Sequence, residues 1–192
     1  MTPLIAAATL IIRVIFDSYI VILLLRFILQ KLHANWFNPI SQFIIKLTEL
    51  PLKPFKKIIP GFKGFDFSIL FFAFIVQLIE MLLLTLLNAQ TFPNIFGLFV
   101  LSLGEILYKF VYIYIYAIII NALASWIPSI QSNPLIDIIQ LIVYPLLSRV
   151  RQMIPLIAGI DISPIPAILG LTVINMLIVT PIMNIGAQLA LQ

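Results

Sequence analysis

Six ionisable side chains lie in stretches that are otherwise too apolar to suit them: Arg13, Asp17, Arg26, Glu80, Glu105 and Lys109. At mid-membrane each would cost about 2.5–3.5 kcal/mol on insertion scales, so each must be neutralised or used. Arg13 and Asp17 are spaced i, i+4, as are Glu105 and Lys109, and both pairs can close along one helix face. Arg26 and Glu80 have no such neighbour. Counted from Trp36 and Ser68 they fall at similar depths, roughly 15–18 Å, which predicts an Arg26–Glu80 contact between two spans. Gln77, one turn before Glu80, can extend that network. Shifting Arg26 and Glu80 by 95 residues gives Asn121 and Asn175, and an Asn121–Asn175 contact is expected to match the charged one. The plainest reading of this set is interhelical glue, worth about 0.6 kcal/mol per neutral bond. A polar path for ions or protons and a partner-facing site are the functional readings.

The elements that must position these groups are membrane spans. The chain has 192 residues, 62% hydrophobic and only 9% charged, with a mean hydropathy of +1.18. A soluble domain carries about a quarter charged residues. About 20 apolar residues cross a bilayer as a helix, and four segments qualify: roughly 4–32, 68–87, 96–127 and 166–189. Helix is the expected form, because an open strand leaves backbone groups unpaired in hydrocarbon. The start, MTPLIAAATLIIRVIF, lacks a basic region and its apolar run is too long for a signal peptide, so it reads as a retained first span. Tyr108, Tyr112 and Tyr116 share one face of the third span and read as packing or an interfacial belt.

Between the spans the chain repeats itself at an offset of 95. Asn38 and Pro39 match Asn133 and Pro134, Pro60 matches Pro155, and Asp66 and Ser68 match Asp161 and Ser163. Each unit holds two spans, so the units (1–94 and 95–192) share one orientation about an axis along the membrane normal. In each, Asn reads as an N-cap and Pro as the first helical residue. Ile40, Phe43, Ile44 and Leu47 then make one apolar face, with Ser41, Gln42, Lys46 and Glu49 away from it. Leu135, Ile138, Ile139 and Ile142 repeat the pattern. These helices, about 39–50 and 134–144, are too short to span and suit the interface. Pro51 and Pro54, or Pro145, are expected to end them. Lys46, Lys53, Lys56, Lys57, Arg149 and Arg151 can then reach lipid phosphates or a partner, at about 1 kcal/mol each near an anionic surface. Six lysines against Glu49 between Lys31 and Lys63 place this side in the cytoplasm and both termini in the periplasm.

The NP–amphipathic helix–P–basic–P element, followed by Asp66-Phe67-Ser68 and Asp161-Ile162-Ser163-Pro164, resembles the YggT family of small integral membrane proteins. NPISQF at residues 38–43 resembles its gamma-proteobacterial members, and the resemblance covers nearly the whole chain as two tandem units. It implies an all-α protein of the bacterial inner membrane, with relatives in plastids. It further implies a part in osmotic stress tolerance and ion homeostasis, while some relatives are linked to cell division or to assembly of membrane complexes. No reaction is established for the family. The chain departs from the pattern where Ile69 stands opposite Pro164 and where Arg26 stands opposite Asn121.

Enzyme chemistry is not expected. There is no cysteine and a single histidine, His33, so a metal site is not expected. There is no Walker loop, GxSxG element or credible Ser/His/Asp set. A cofactor is not expected, and the clustered charge suits anionic headgroups better than nucleic acid. The expected partners are the bilayer and a second copy or another membrane protein. The leading functional expectation is an ion-conducting or ion-regulating membrane protein; the alternative is a non-transporting scaffold.

Overall fold

The computed structural model describes residues 3–59, 65–89, 92–154 and 161–191. Pro60 and Pro155, the expected closing prolines, and Lys63 lie outside them. The described chain is helical: α1 Pro3–Lys31, α2 Pro39–Ile58, α3 Phe67–Ala89, α4 Ile95–Ala124, α5 Pro134–Met153, α6 Pro164–Ile174 and α7 Thr180–Ala190. A five-residue π segment, Asn175–Val179, joins α6 to α7 without a break. α1, α3, α4 and the composite Pro164–Ala190 are each long and apolar enough to cross a membrane, matching the four expected spans.

Asn38 and Asn133 cap as read: each side-chain oxygen accepts from the N–H two residues on, Ile40 and Leu135, at 2.9 Å. Pro39 and Pro134 follow at the first helical position, where a missing N–H costs nothing. The expected stops do not stop. α2 carries Pro51 and Pro54 inside it and runs to Ile58, and α5 carries Pro145 and runs to Met153. A proline breaks a helix by deleting one bond and crowding the carbonyl four residues back. In α2 those carbonyls belong to Leu47 and Leu50, which are exposed. Buried Leu52, between the prolines, and half-buried Phe55, after them and packed on Phe71 and Phe72, hold the segment to the bundle.

α2 also divides its surface differently from the reading. Ser41, Ile44, Thr48 and Leu52 form the face against the bundle, while Phe43, Leu47 and Leu50 are exposed. Ser41 therefore leaves the polar side, and the apolar face splits into one half for protein and one half for lipid. α5 sits deeper, with Ile138, Ile139, Ile142, Val143 and Leu147 all buried. The two repeat elements meet where they begin: the Asn38 side-chain amide donates to the Pro134 carbonyl at 2.8 Å.

α1 and α3 pack antiparallel, with Tyr19 edge-on to Phe72, and Phe27 of α1 lies beside Phe65, two residues before α3. α4 and α7 pack closer still. A Cβ at Gly97 would lie 2.1 Å from the Ala190 nitrogen, and one at Gly186 would lie 2.4 Å from the Leu101 nitrogen. Small residues at such crossings let backbones approach where no hydrophobic effect drives association. The π segment has a local cause. Pro181 lacks an N–H and crowds the turn before it, and the widened turn is closed by the Thr180 N–H donating five residues back to the Asn175 carbonyl.

Candidate intramembrane polar site

Asp17 stands at the midpoint of α1 and Lys109 at the middle of α4. Lys109 Nζ lies 2.8 Å from Asp17 Oδ1 and donates at 2.8 Å to Gln77 Oε1 on α3. It also lies 3.4 Å from Glu105 Oε2, one turn away on its own helix. Gln77 Nε2 in turn donates to Glu80 Oε2 at 2.9 Å. One ammonium thus gathers two carboxylates directly and a third through an amide, across three spans. Fully ionised, three acids against one base would leave the cluster negative.

The members differ in access. The Asp17 side chain is 43% exposed and that of Glu105 22%, against 9% for Lys109. Gln77 and Glu80 are 0% exposed, and Glu80 Oε1 is buried with no hydrogen-bond partner. The exposed members open into a cleft of about 520 Å³ between α1, α4 and α7, walled also by Arg13 and by Tyr108, Tyr112 and Tyr116. The tyrosines stack along α4 as their spacing predicts, with centroids 4.3 Å and 5.8 Å apart. The site is therefore a polar cleft leading to an ion pair at mid-span, with a sealed carboxyl behind it.

Several expected pairings are replaced. Asp17 turns to Lys109, and Arg13 makes no ion pair among the described residues. The expected Glu105–Lys109 pair is present. Arg26 does not meet Glu80. Its guanidinium donates to Thr48 Oγ1 at 2.6 Å and pairs with Glu49, both on α2. The error was one of depth. α1 ends at Lys31 and the chain turns at His33, whose φ is 51°, so counting from Trp36 included the turn. Arg26 lies five residues from its helix end, about 8 Å, whereas Glu80 lies thirteen from Phe67, about 20 Å. Asn121 and Asn175 separate for the same reason. Asn121 lines a cleft with Arg151 and Asp161 near the end of α4, while Asn175 is buried in the π segment with its Oδ1 unpartnered.

The apolar spacing does not identify Thr48 and Glu49 as the partners of Arg26, since it assigns the faces of α2 to the interface and to lipid or a partner, not to α1. The available signal is another spacing: Ser41, Ile44, Thr48 and Leu52 share one helical face, and Thr48 proves fully buried on it. The Arg26 guanidinium, then partial burial opposing it, then Lys56 set the Glu49 carboxyl, with a net result below the ordinary range. Lys46, Lys53, Lys57 and Arg149 are exposed as expected. Lys56 pairs with Glu49 at 3.2 Å, and Arg151 donates through Nε at 2.9 Å and Nη2 at 2.6 Å to Asp161 Oδ2. Burial pushes the Asp161 carboxyl up, but hydrogen bonds from Ser163 and Arg151 outweigh it and hold it low. Asp66 caps α3, accepting from the Ser68 N–H at 3.2 Å and from its hydroxyl; its counterpart Asp161 accepts from the Ser163 N–H at 2.9 Å in the turn before α6, whose N-cap Ser163 makes no side-chain cap bond.

Four spans with paired interfacial helices and a charged cluster at mid-depth define a multi-pass, all-α membrane protein built from two tandem units. The chain matches the CCB3/YggT family twice, over residues 5–87 and 100–182. It belongs to that family. An uncharacterized protein of Pseudomonas aeruginosa is 37% identical over 174 residues, 90% of this chain and 88% of the relative. The uncharacterized protein YggT of Escherichia coli K12 is 31% identical over 173 residues, 88% and 87% of the two chains. A protein of Vibrio alginolyticus is 29% identical over 167 residues, 86% and 90%. No solved structure matches the chain.

Proposed function

We propose that this chain is a non-enzymatic inner-membrane protein that conducts or regulates ions, and thereby serves ion homeostasis under osmotic and extracytoplasmic stress. One observation carries the reading: Glu80, fully buried with a free oxygen, ends a hydrogen-bonded chain from Gln77 to Lys109 and the cleft. Intramembrane ionisable groups that face a polar cavity mark ion and proton pathways. The basic end of the bundle lies in the cytoplasm by the loop charges, with both termini periplasmic. The test is ion flux in proteoliposomes, wild type beside Glu80→Gln. Flux lost in a folded variant supports the path; flux unchanged removes Glu80 from it.

A second reading, a scaffold for division or membrane assembly, is favoured by α2, which leaves Lys46, Lys53 and Lys57 exposed beside Phe43, Leu47 and Leu50. Crosslinking to membrane partners that survives replacement of Lys53, Lys56 and Lys57 by Gln would count against it.

A further inference from the structure

An apolar cleft of about 590 Å³ lies on another side of α4 and shares no residue with the mid-span polar one. Phe71 and Phe74 of α3 and Leu103 and Phe110 of α4 form its long walls. Every lining residue is apolar. Ile59, the residue after α2, lines it too. That places one end of the cleft two residues from Lys57, at the basic last turn of α2. Phe55 fixes this join by packing its ring 6.2 Å from that of Phe71. Of the lysines there, Lys56 is engaged by Glu49. Lys53 and Lys57 are exposed and make no ion pair among the described residues.

We propose that this cleft and the α2 lysines together bind one anionic phospholipid, one of its acyl chains between α3 and α4 and its phosphate on Lys53 and Lys57. The occupant must bring no unsatisfied polar group into the apolar part, because nothing there can pair with it. An acyl chain meets that condition, and an extended peptide does not. It must also be negative where the cleft meets the interface, since two unpaired ammonium groups wait there. A phospholipid carries both properties in one molecule, and a lysine near such a surface contributes about a fivefold preference. The inference stands apart from the proposed ion path, as it uses a different face of α4.

The experiment is native mass spectrometry of the full chain extracted from vesicles of equal phosphatidylglycerol and phosphatidylcholine. The expected result is retention of one phosphatidylglycerol in preference to phosphatidylcholine. The ratio falls about fivefold for each lysine removed in K53Q and K57Q. Leu103→Trp, which fills the cleft from a partly lipid-facing position, abolishes retention of either lipid, while helical circular dichroism is unchanged. Equal retention of the two lipids by wild type, or a ratio unmoved in the lysine variants, overturns the proposal. So does a dimer that Leu103→Trp dissociates, because a second copy would then be the occupant.

Discussion

Lys109→Met is the sharpest perturbation of the polar site. It removes one charge and three contacts at once: Asp17 at 2.8 Å, Gln77 at 2.8 Å and Glu105 at 3.4 Å. Removing one partner of a fully buried pair costs about 3–5 kcal/mol, because the other charge is left uncompensated. Here Asp17 and Glu105 keep 43% and 22% of their side-chain surface open to the cleft, where water and counterions relieve part of that penalty. A loss of about 2 kcal/mol remains. It is measured as the unfolding free energy in mixed micelles, titrated with a denaturing detergent. Asp17→Asn in the same background should couple with Lys109→Met by about 1 kcal/mol or more, as groups in one network do. A Lys109→Met protein as stable as wild type, additive with Asp17→Asn, would refute the claim that this lysine holds the three spans together.

The α4–α7 crossing predicts that Gly186→Val costs about 3 kcal/mol, the upper end for overpacking, because the Leu101 backbone at 2.4 Å cannot move aside; Gly170→Ala, with nothing within 4 Å of its Cβ, should be silent in the same unfolding assay. The Glu49 carboxyl is held low mainly by the Arg26 hydrogen bond, so it binds fewer protons folded than unfolded. Its contribution to docking α2 is complete above the ordinary glutamate range and is lost as pH falls through the lowered folded value. Protection against hydrogen exchange at residues 44–52, taken relative to the intrinsic rate at each pH, should fall on acidification, and Glu49→Gln should remove that dependence. Because the chain has no native cysteine, single cysteines at Lys53 and Asn94 report orientation directly: an impermeant thiol reagent added outside spheroplasts should label Asn94→Cys and spare Lys53→Cys.

Spans, caps and repeat were legible because each has a local physical cause. A run of apolar residues must be a helix in lipid, and Asn-Pro sets a helix start whatever lies around it. The stripe Tyr108–Tyr112–Tyr116 was legible for the same reason, as helical spacing alone aligns it. Partner choice was not. Asp17 could reach Arg13 along its own helix as well as Lys109 across the bundle, and only the packing of α1 on α4 decides. Arg26 was assigned by depth, and depth depends on where α1 stops, which the turn at His33 moves by about a helical turn. The prolines of α2 read as stops because the packing of Leu52 between them and Phe55 after them is tertiary information.

Ion flux into proteoliposomes under an imposed pH or salt step, with wild type and Glu80→Gln reconstituted at equal density, tests the central claim most directly. Flux in wild type that falls at least about tenfold in Glu80→Gln, with both proteins inserted and folded, is the predicted result; a tenfold change corresponds to about 1.4 kcal/mol in the barrier. No flux in well-inserted wild type, or equal flux in the two, would contradict it and leave the mid-span cluster as the glue that joins α1, α3 and α4.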